Sequence, residues 1–188
     1  LFVLLCLAAL ACPGQSRAED RAVKLATLEW PPFTGAALPG QGESTKIVVR
    51  AFQAMGYTAR VEFFPWARAV RNARSDPSFA GYFPEYSGGD APGAFICSDP
   101  IGRSPLGFVE RVDAPVNWTS LDSLKGLTIG AVRGYFNTLE FDRMAASGEL
   151  TVEEVTDDIS NVRKVLAKRI PLAVIDRNVL HHLLATDP

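Results

Sequence analysis

Aromatic rings and carboxylates at the ends of strand-like runs are the residues of this chain best suited to chemistry. Glu29-Trp30-Pro31-Pro32-Phe33 follows the alternating run Val23–Leu28. Two prolines forbid helix and keep the chain extended, so Trp30 and Phe33 stand on a stiff loop. Rings so held either wall a small-molecule site or cap the core. Trp66 stands at a second junction, after the alternating run Tyr57–Phe64 and Pro65, and reads equally as a wall or as core. Asp176 ends the apolar run Ile170–Ile175. A carboxylate there either points into a crevice or caps the next helix by accepting from its first N–H groups, and the two roles can coexist.

A fourth place is backbone rather than side chain. In Ser120–Asn137, Leu121 and Leu124 have helical spacing and Gly126 is a stop signal. Leu127–Val132 reads as a short buried strand, Arg133-Gly134-Tyr135 as a turn, and a helix starts near Thr138. A strand that passes through a glycine turn into a helix offers free N–H groups to an anionic or strongly polar ligand. The same pattern also describes an ordinary α/β junction.

Covalent or metal chemistry finds less support. His181 and His182 are adjacent, without further ligands near them in sequence, and suit solvated helix positions better than a metal. No Ser–His–acid order presents itself. Glu85 with Asp176 is the one acid/base pair to weigh for an enzyme. Neither a catalytic residue, a metal nor a cofactor is expected.

The elements that position these residues follow from periodicity. Ile47, Val48, Ala51, Phe52 and Met55 repeat as a helix over Glu43–Met55, with Ser44 or Thr45 as cap and Gly56 as terminator. Pro65 opens a helix through Arg71, and Phe79–Phe83 is a short strand. Leu106–Val109 is read as the last strand of a first lobe, before the polar crossover Asp113–Trp118. Beyond it come a helix up to Ala146, a strand Leu150–Val155, a helix capped by Asp157 or Asp158, and the strand that ends in Asp176.

The chain has 188 residues, 19 basic against 21 acidic, and a formal net charge of −2. Scattered, slightly outnumbered Lys and Arg give no electrostatic footprint for nucleic acid. Residues 1–18 read as a secretory signal whose charged start is missing, with an apolar run Leu1–Ala11 and small residues Ser16 and Ala18 before a cleavage point. Lipidation at Cys12 is an open alternative. Cys6 and Cys12 leave with the signal, so Cys97 has no disulfide partner and reads as a small buried apolar residue.

Leu121-Asp122-Ser123-Leu124-Lys125-Gly126-Leu127-Thr128-Ile129-Gly130-Ala131-Val132 followed by Gly134 resembles the passage that opens the second lobe of bacterial periplasmic solute-binding proteins of family 3, those that serve polar amino acid transporters. The Trp30-Pro-Pro-Phe33 loop, Phe95–Pro100 and the Ile175-Asp176 strand end are similar to further segments of that family. The resemblance implies an α/β, two-lobed type 2 periplasmic-binding-protein fold with the ligand cleft between the lobes. It divides the chain into a signal (1–18), lobe 1 (19–112) and an incomplete lobe 2 (113–188), whose missing elements would leave apolar faces uncovered.

It further implies a monomeric, periplasmic protein that hands a small polar, amino-acid-like solute to the membrane permease of an ABC transporter. Trp30, Phe33, Trp66 and Tyr82 would pack on that ligand, with Tyr135 beside them. Gly81 and Gly134 would let backbone amides approach, and Asp176 would pair with a ligand amine. The sequence departs from the family where a Thr-x-x-Arg carboxylate clamp is usual: Phe83–Gly89 stands there, and Arg103 is the substitute. A periplasmic sensor domain and an enzyme on the same scaffold are the alternatives.

Overall fold

A computed structural model describes residues 21–88 and 95–186. The expected signal segment, with Cys6 and Cys12, lies outside the described residues. Two sheets form, each with helices packed on it. The first has the order β2-β1-β3, from β1 (Ala22–Thr27), β2 (Thr58–Phe63) and β3 (Phe79–Tyr82), all parallel. The second has the order β4-β7-β5-β6, from β4 (Leu106–Glu110), β5 (Thr128–Val132), β6 (Thr151–Val155) and β7 (Leu172–Asp176). β5 is parallel to both β6 and β7, and β4 closes the edge antiparallel to β7.

The helices are α1 (Glu43–Ala54), α2 (Trp66–Ser75), α3 (Leu139–Ala146), α4 (Asp158–Leu166) and α5 (Arg177–Thr186), with 3-10 turns over Pro39–Gln41 and Leu121–Leu124. Parallel pairing needs such helical crossovers, and it gathers the carboxyl ends of the strands at one edge of each sheet. Trp30 and Trp66 follow strand ends of the first sheet; Gly134 and Asp176 stand at strand ends of the second. β7 is buried along its whole length, as its unbroken apolar run requires.

Three expectations are corrected. Leu106–Val109, read as the last strand of the first lobe, lies in β4, which pairs with β7 residue for residue from Leu106↔Asp176 to Glu110↔Leu172. A short apolar run states that it is a strand but not which sheet it joins. At α1 the cap is Gly42, at φ +99°, and a Cβ there would lie 2.3 Å from the Phe33 carbonyl oxygen. Backbone crowding therefore decides that helix start, while Ser44 and Thr45 are buried within its first turn. Cys97 is exposed, because residues 95–105 form neither helix nor strand and give it no inward-facing position.

The apolar face of α1 is only partly covered, with Ile47 45% and Met55 72% exposed. The main core spans both sheets instead. Ala26, Leu28, Trp30, Trp66, Ala69 and Phe79 from the first half pack with Val162, Ile175 and Val179 from the second. A second cluster, including Leu124, Ile129, Phe141, Met144 and Leu172, fills the space under α3.

Candidate functional site

The Trp30 loop is held by its own backbone. Trp30 N–H donates to the Thr34 carbonyl (2.8 Å), Thr34 N–H returns a bond to the Trp30 carbonyl (3.1 Å), and the buried Thr34 hydroxyl donates to the Leu28 carbonyl (2.8 Å). The Pro31–Pro32 peptide between them is cis. The loop is also tied to α1, where Ser44 N–H donates to the Phe33 carbonyl (2.9 Å). Phe33 lies 4.8 Å from Trp30, ring to ring. An aromatic pair fixed in this way loses little freedom when it covers a ligand.

Trp66 opens α2 and is 5% exposed. Tyr82 meets it edge-on at 5.3 Å, and Tyr135 meets it edge-on at 6.1 Å from the other lobe. Its indole N–H donates to the Gly134 carbonyl at 2.9 Å. Gly134, at φ +78°, thus presents its carbonyl to the first lobe, and the turn conformation that glycine adopts freely brings it there.

Beside these residues lies a cavity of about 750 Å³ lined by Trp30, Phe33, Trp66, Arg103 and Tyr135, together with Ser44, Glu85, Tyr86, Ser104, Phe136, Asn137 and Glu140. Five residues expected at a site therefore share one cavity. Gly81 and Tyr82, in β3, do not line it, and neither do Gly134 and Asp176.

Asp176 is 1% exposed and takes the capping role weighed from sequence, while its side chain does not line the cavity. One oxygen caps α5, accepting from Asn178 N–H (2.7 Å) and Val179 N–H (3.1 Å). The other faces the first half of the chain and accepts from the Tyr86 hydroxyl at 2.6 Å. Burial first, and then the Asp176 carboxylate, push the Tyr86 phenol far above its ordinary value, so it is a firm donor. Glu85 turns elsewhere, toward the Tyr86 N–H (2.9 Å) and the Tyr82 hydroxyl (3.5 Å).

Two site residues escaped the sequence reading. Tyr86 sits in the aperiodic stretch Pro84–Gly88, where nothing signals its reach of ninety residues to Asp176. Asp158 begins α4 and looks like a cap, but Asp157 does that work by accepting from Ser160 N–H at 2.9 Å. Asp158 turns inward, is 7% exposed, and accepts from the Tyr135 hydroxyl at 3.2 Å. Burial raises its pKa to about 6, while the Tyr135 and Trp30 donors hold it down and the Asp157 and Asp176 charges raise it further. The spacing Asp158, Asn161, Val162, Val165 carries the missed signal, an inward stripe of helical period.

No family model matches this sequence, and no curated protein matches it. Solved structures do. An ABC uptake transporter substrate binding protein from Streptococcus pneumoniae with bound histidine superposes with a TM-score of 0.68 at 15% identity, over 89% of this chain and 71% of that one. The GluR0 ligand binding core in complex with L-glutamate gives 0.67 at 16% identity, over 92% and 76%. An ancestral arginine-binding protein bound to arginine gives 0.65 at 16%, over 87% and 74%. The chain has the two-lobed periplasmic binding fold.

The first sheet with α1 and α2 is one lobe of that fold, and the second sheet with α3, α4 and α5 is the other. The cavity and the polar contacts of Trp66 with Gly134 and of Tyr86 with Asp176 lie where the two lobes meet. Among the described residues no helix is long and apolar enough to cross a membrane.

Proposed function

We propose that this chain is an extracytoplasmic solute-binding protein of the family 3 type, which captures a small polar solute between its lobes and delivers it to the permease of an ABC transporter. The observation that carries the reading is the cavity itself. It is of ligand size, it lies at the meeting of the two lobes of a periplasmic binding fold, and rigidly held aromatic rings and a few polar groups wall it. Trp30, Phe33, Trp66 and Tyr135 supply apolar surface, and Arg103 is the cationic group within reach of an acidic substituent.

On this reading, residues 1–18 direct export, the lobe boundary falls before β4 rather than at residue 112, and the protein works as a periplasmic monomer. Lobe separation admits the solute and closure buries it, presenting a composite surface to the permease. The three similar structures hold histidine, glutamate and arginine, which supports an amino-acid-like solute. The role proposed is capture rather than turnover.

Isothermal calorimetry of the full chain against a broad panel of polar metabolites tests the proposal. Saturable heat from a member of the panel, lost in Trp66→Ala, is the expected result; no heat from any member overturns it.

A further inference from the structure

We propose that the cleft selects an amphipathic acid, a solute with a flat apolar body and a carboxylate at one end. The inference rests on the solute-binding reading above and names its substrate class. Most polar groups of the cavity wall are already committed to the protein. The Tyr86 hydroxyl donates to Asp176 (2.6 Å), the Tyr135 hydroxyl to Asp158 (3.2 Å) and the Trp66 indole N–H to the Gly134 carbonyl (2.9 Å). The Trp30 indole nitrogen is buried, so it does not face the cavity. These four residues line the cavity, and what they leave for a solute is carbon surface.

The rest of the wall repeats the pattern. The Asn137 amide donates to Asp142 (3.0 Å), the Thr138 hydroxyl accepts from Phe141 N–H (3.1 Å), and the Ser104 hydroxyl accepts from the Asn178 amide (2.9 Å). Glu85 accepts from Tyr86 N–H (2.9 Å). Between these groups stand Phe33, Ile101 and Phe136, and Leu139, which is 74% exposed at the first residue of α3. A large apolar side chain left open on a cavity wall gains from being covered by an apolar occupant. The volume agrees: about 750 Å³ lies in the upper part of the range, roughly 300–1,000 Å³, that houses drug-sized ligands. A short, wholly polar solute would leave most of this surface wet.

Ser44, Ser87, Arg103 and Glu140 are the polar side chains of the wall that remain without a partner among the described residues. Arg103 is exposed there, and its planar guanidinium suits a carboxylate held by two parallel bonds. Glu140 stands in the first turn of α3, where the helix dipole already favours its charge. The wall thus offers one cation and much hydrocarbon. A plain aryl-alkanoic acid and an aromatic amino acid share the chemistry that fits it.

The test is calorimetry of the full chain at fixed pH and ionic strength. The probes are naphthylacetate, phenylpropionate, propionate, glutamate, phenylalanine and the neutral phenylpropionamide. Naphthylacetate is expected to bind at least about ten-fold tighter than propionate, and phenylpropionate about five-fold tighter than its amide. Arg103→Gln is expected to erase the difference between acid and amide. Leu139→Ser is expected to weaken naphthylacetate about three-fold while leaving the acid-to-amide ratio unchanged. Both side chains are exposed, so neither change disturbs the core. Phenylalanine binding no tighter than phenylpropionate assigns recognition to ring and carboxylate alone; a clear advantage for phenylalanine adds a contact to the amine, and either supports the proposal. Propionate or glutamate binding as tightly as naphthylacetate overturns it, as does an amide that matches its acid, an Arg103→Gln variant that keeps the acid preference, or a Leu139→Ser variant that binds naphthylacetate unchanged. Binding confined to small hydrophilic solutes in the wider panel removes this proposal and leaves the solute-binding reading; no binding by any solute removes both.

Discussion

The Tyr86 hydroxyl donates to the Asp176 carboxylate at 2.6 Å, joining the segment after β3 to the end of β7 across ninety residues of sequence. The bond closes the two lobes over an acid whose other oxygen is already committed to the start of α5. Removing the phenol oxygen alone leaves a buried acceptor partly unpaired. Tyr86→Phe is expected to cost about 1–3 kcal/mol in urea unfolding. Asp176→Ala removes the cap as well, which is worth roughly 0.5–2 kcal/mol by itself, so it is expected to cost more than Tyr86→Phe. Equal stability of Tyr86→Phe and the unaltered chain contradicts the assignment.

Asp158 makes stability depend on pH in the direction opposite to most carboxylates. Its pKa in the folded chain is raised from 3.8 to about 6, burial being the largest cause. Between those values the folded state holds more protons than the unfolded state, so stability falls as pH rises through the window. The contribution is fully present below about pH 4 and is lost above about pH 6. Asp158→Asn removes the penalty. At pH 7 the empty variant is expected to be more stable than the unaltered chain, by up to about 3 kcal/mol, with the gap closing toward pH 4. Denaturant melts at pH 4, 5, 6 and 7 check both the sign and the window.

The fold was legible where local pattern and tertiary role agree. The apolar run Ile170–Ile175 before Asp176 reads as a buried strand and Arg133-Gly134-Tyr135 as a turn, and the structure has β7 at the one and a positive φ at Gly134 in the other. The stiffness of the Trp30 loop was legible because two prolines fix it before any tertiary contact is made, whereas the choice between site wall and core was not. Legibility failed where the deciding neighbour is distant in sequence. β4 reads the same whichever sheet receives it, and only pairing with β7 settles the matter. Tyr86 has no periodic context, and its value comes wholly from Asp176. Asp157 and Asp158 are the same residue type side by side, so only the rotation of α4 tells the cap from the buried acid.

Gly130 sits in β5 directly under α4, and a Cβ there would lie 2.5 Å from the Asn161 Oδ1, 2.7 Å from the Ile170 Cδ1 and 2.9 Å from the Ala173 Cβ. Gly130→Ala therefore forces a shift in a packed layer and is expected to cost about 1–3 kcal/mol. Asn161 is fully buried with neither side-chain polar atom bonded, so Asn161→Ala both frees the space and removes the unpaired amide. The double variant is expected to be more stable than the sum of the single losses allows, by at least about 0.5 kcal/mol. Strict additivity in a thermal double-mutant cycle rules out the packing conflict.

Trp66 joins the lobes through a donor that can be removed without losing its ring contacts. The indole N–H donates to the Gly134 carbonyl at 2.9 Å, while the ring lies against Tyr82 in its own lobe and Tyr135 in the other. Trp66→Phe keeps an aromatic surface but deletes the bond, at a cost to the closed form of about 1 kcal/mol. That shift moves the open-to-closed ratio about five-fold, because 1.4 kcal/mol corresponds to a factor of ten. If the open form is scarce in the unaltered chain, solution scattering of the ligand-free variant is expected to show a larger radius of gyration only as that population becomes appreciable. Limited proteolysis at the lobe junction is the more sensitive readout, with cleavage expected to be several-fold faster. On the proposed solute-binding reading, a bound solute is expected to restore closure and suppress the added cleavage. Unchanged cleavage with and without solute means that the Trp66–Gly134 bond does not hold the lobes together.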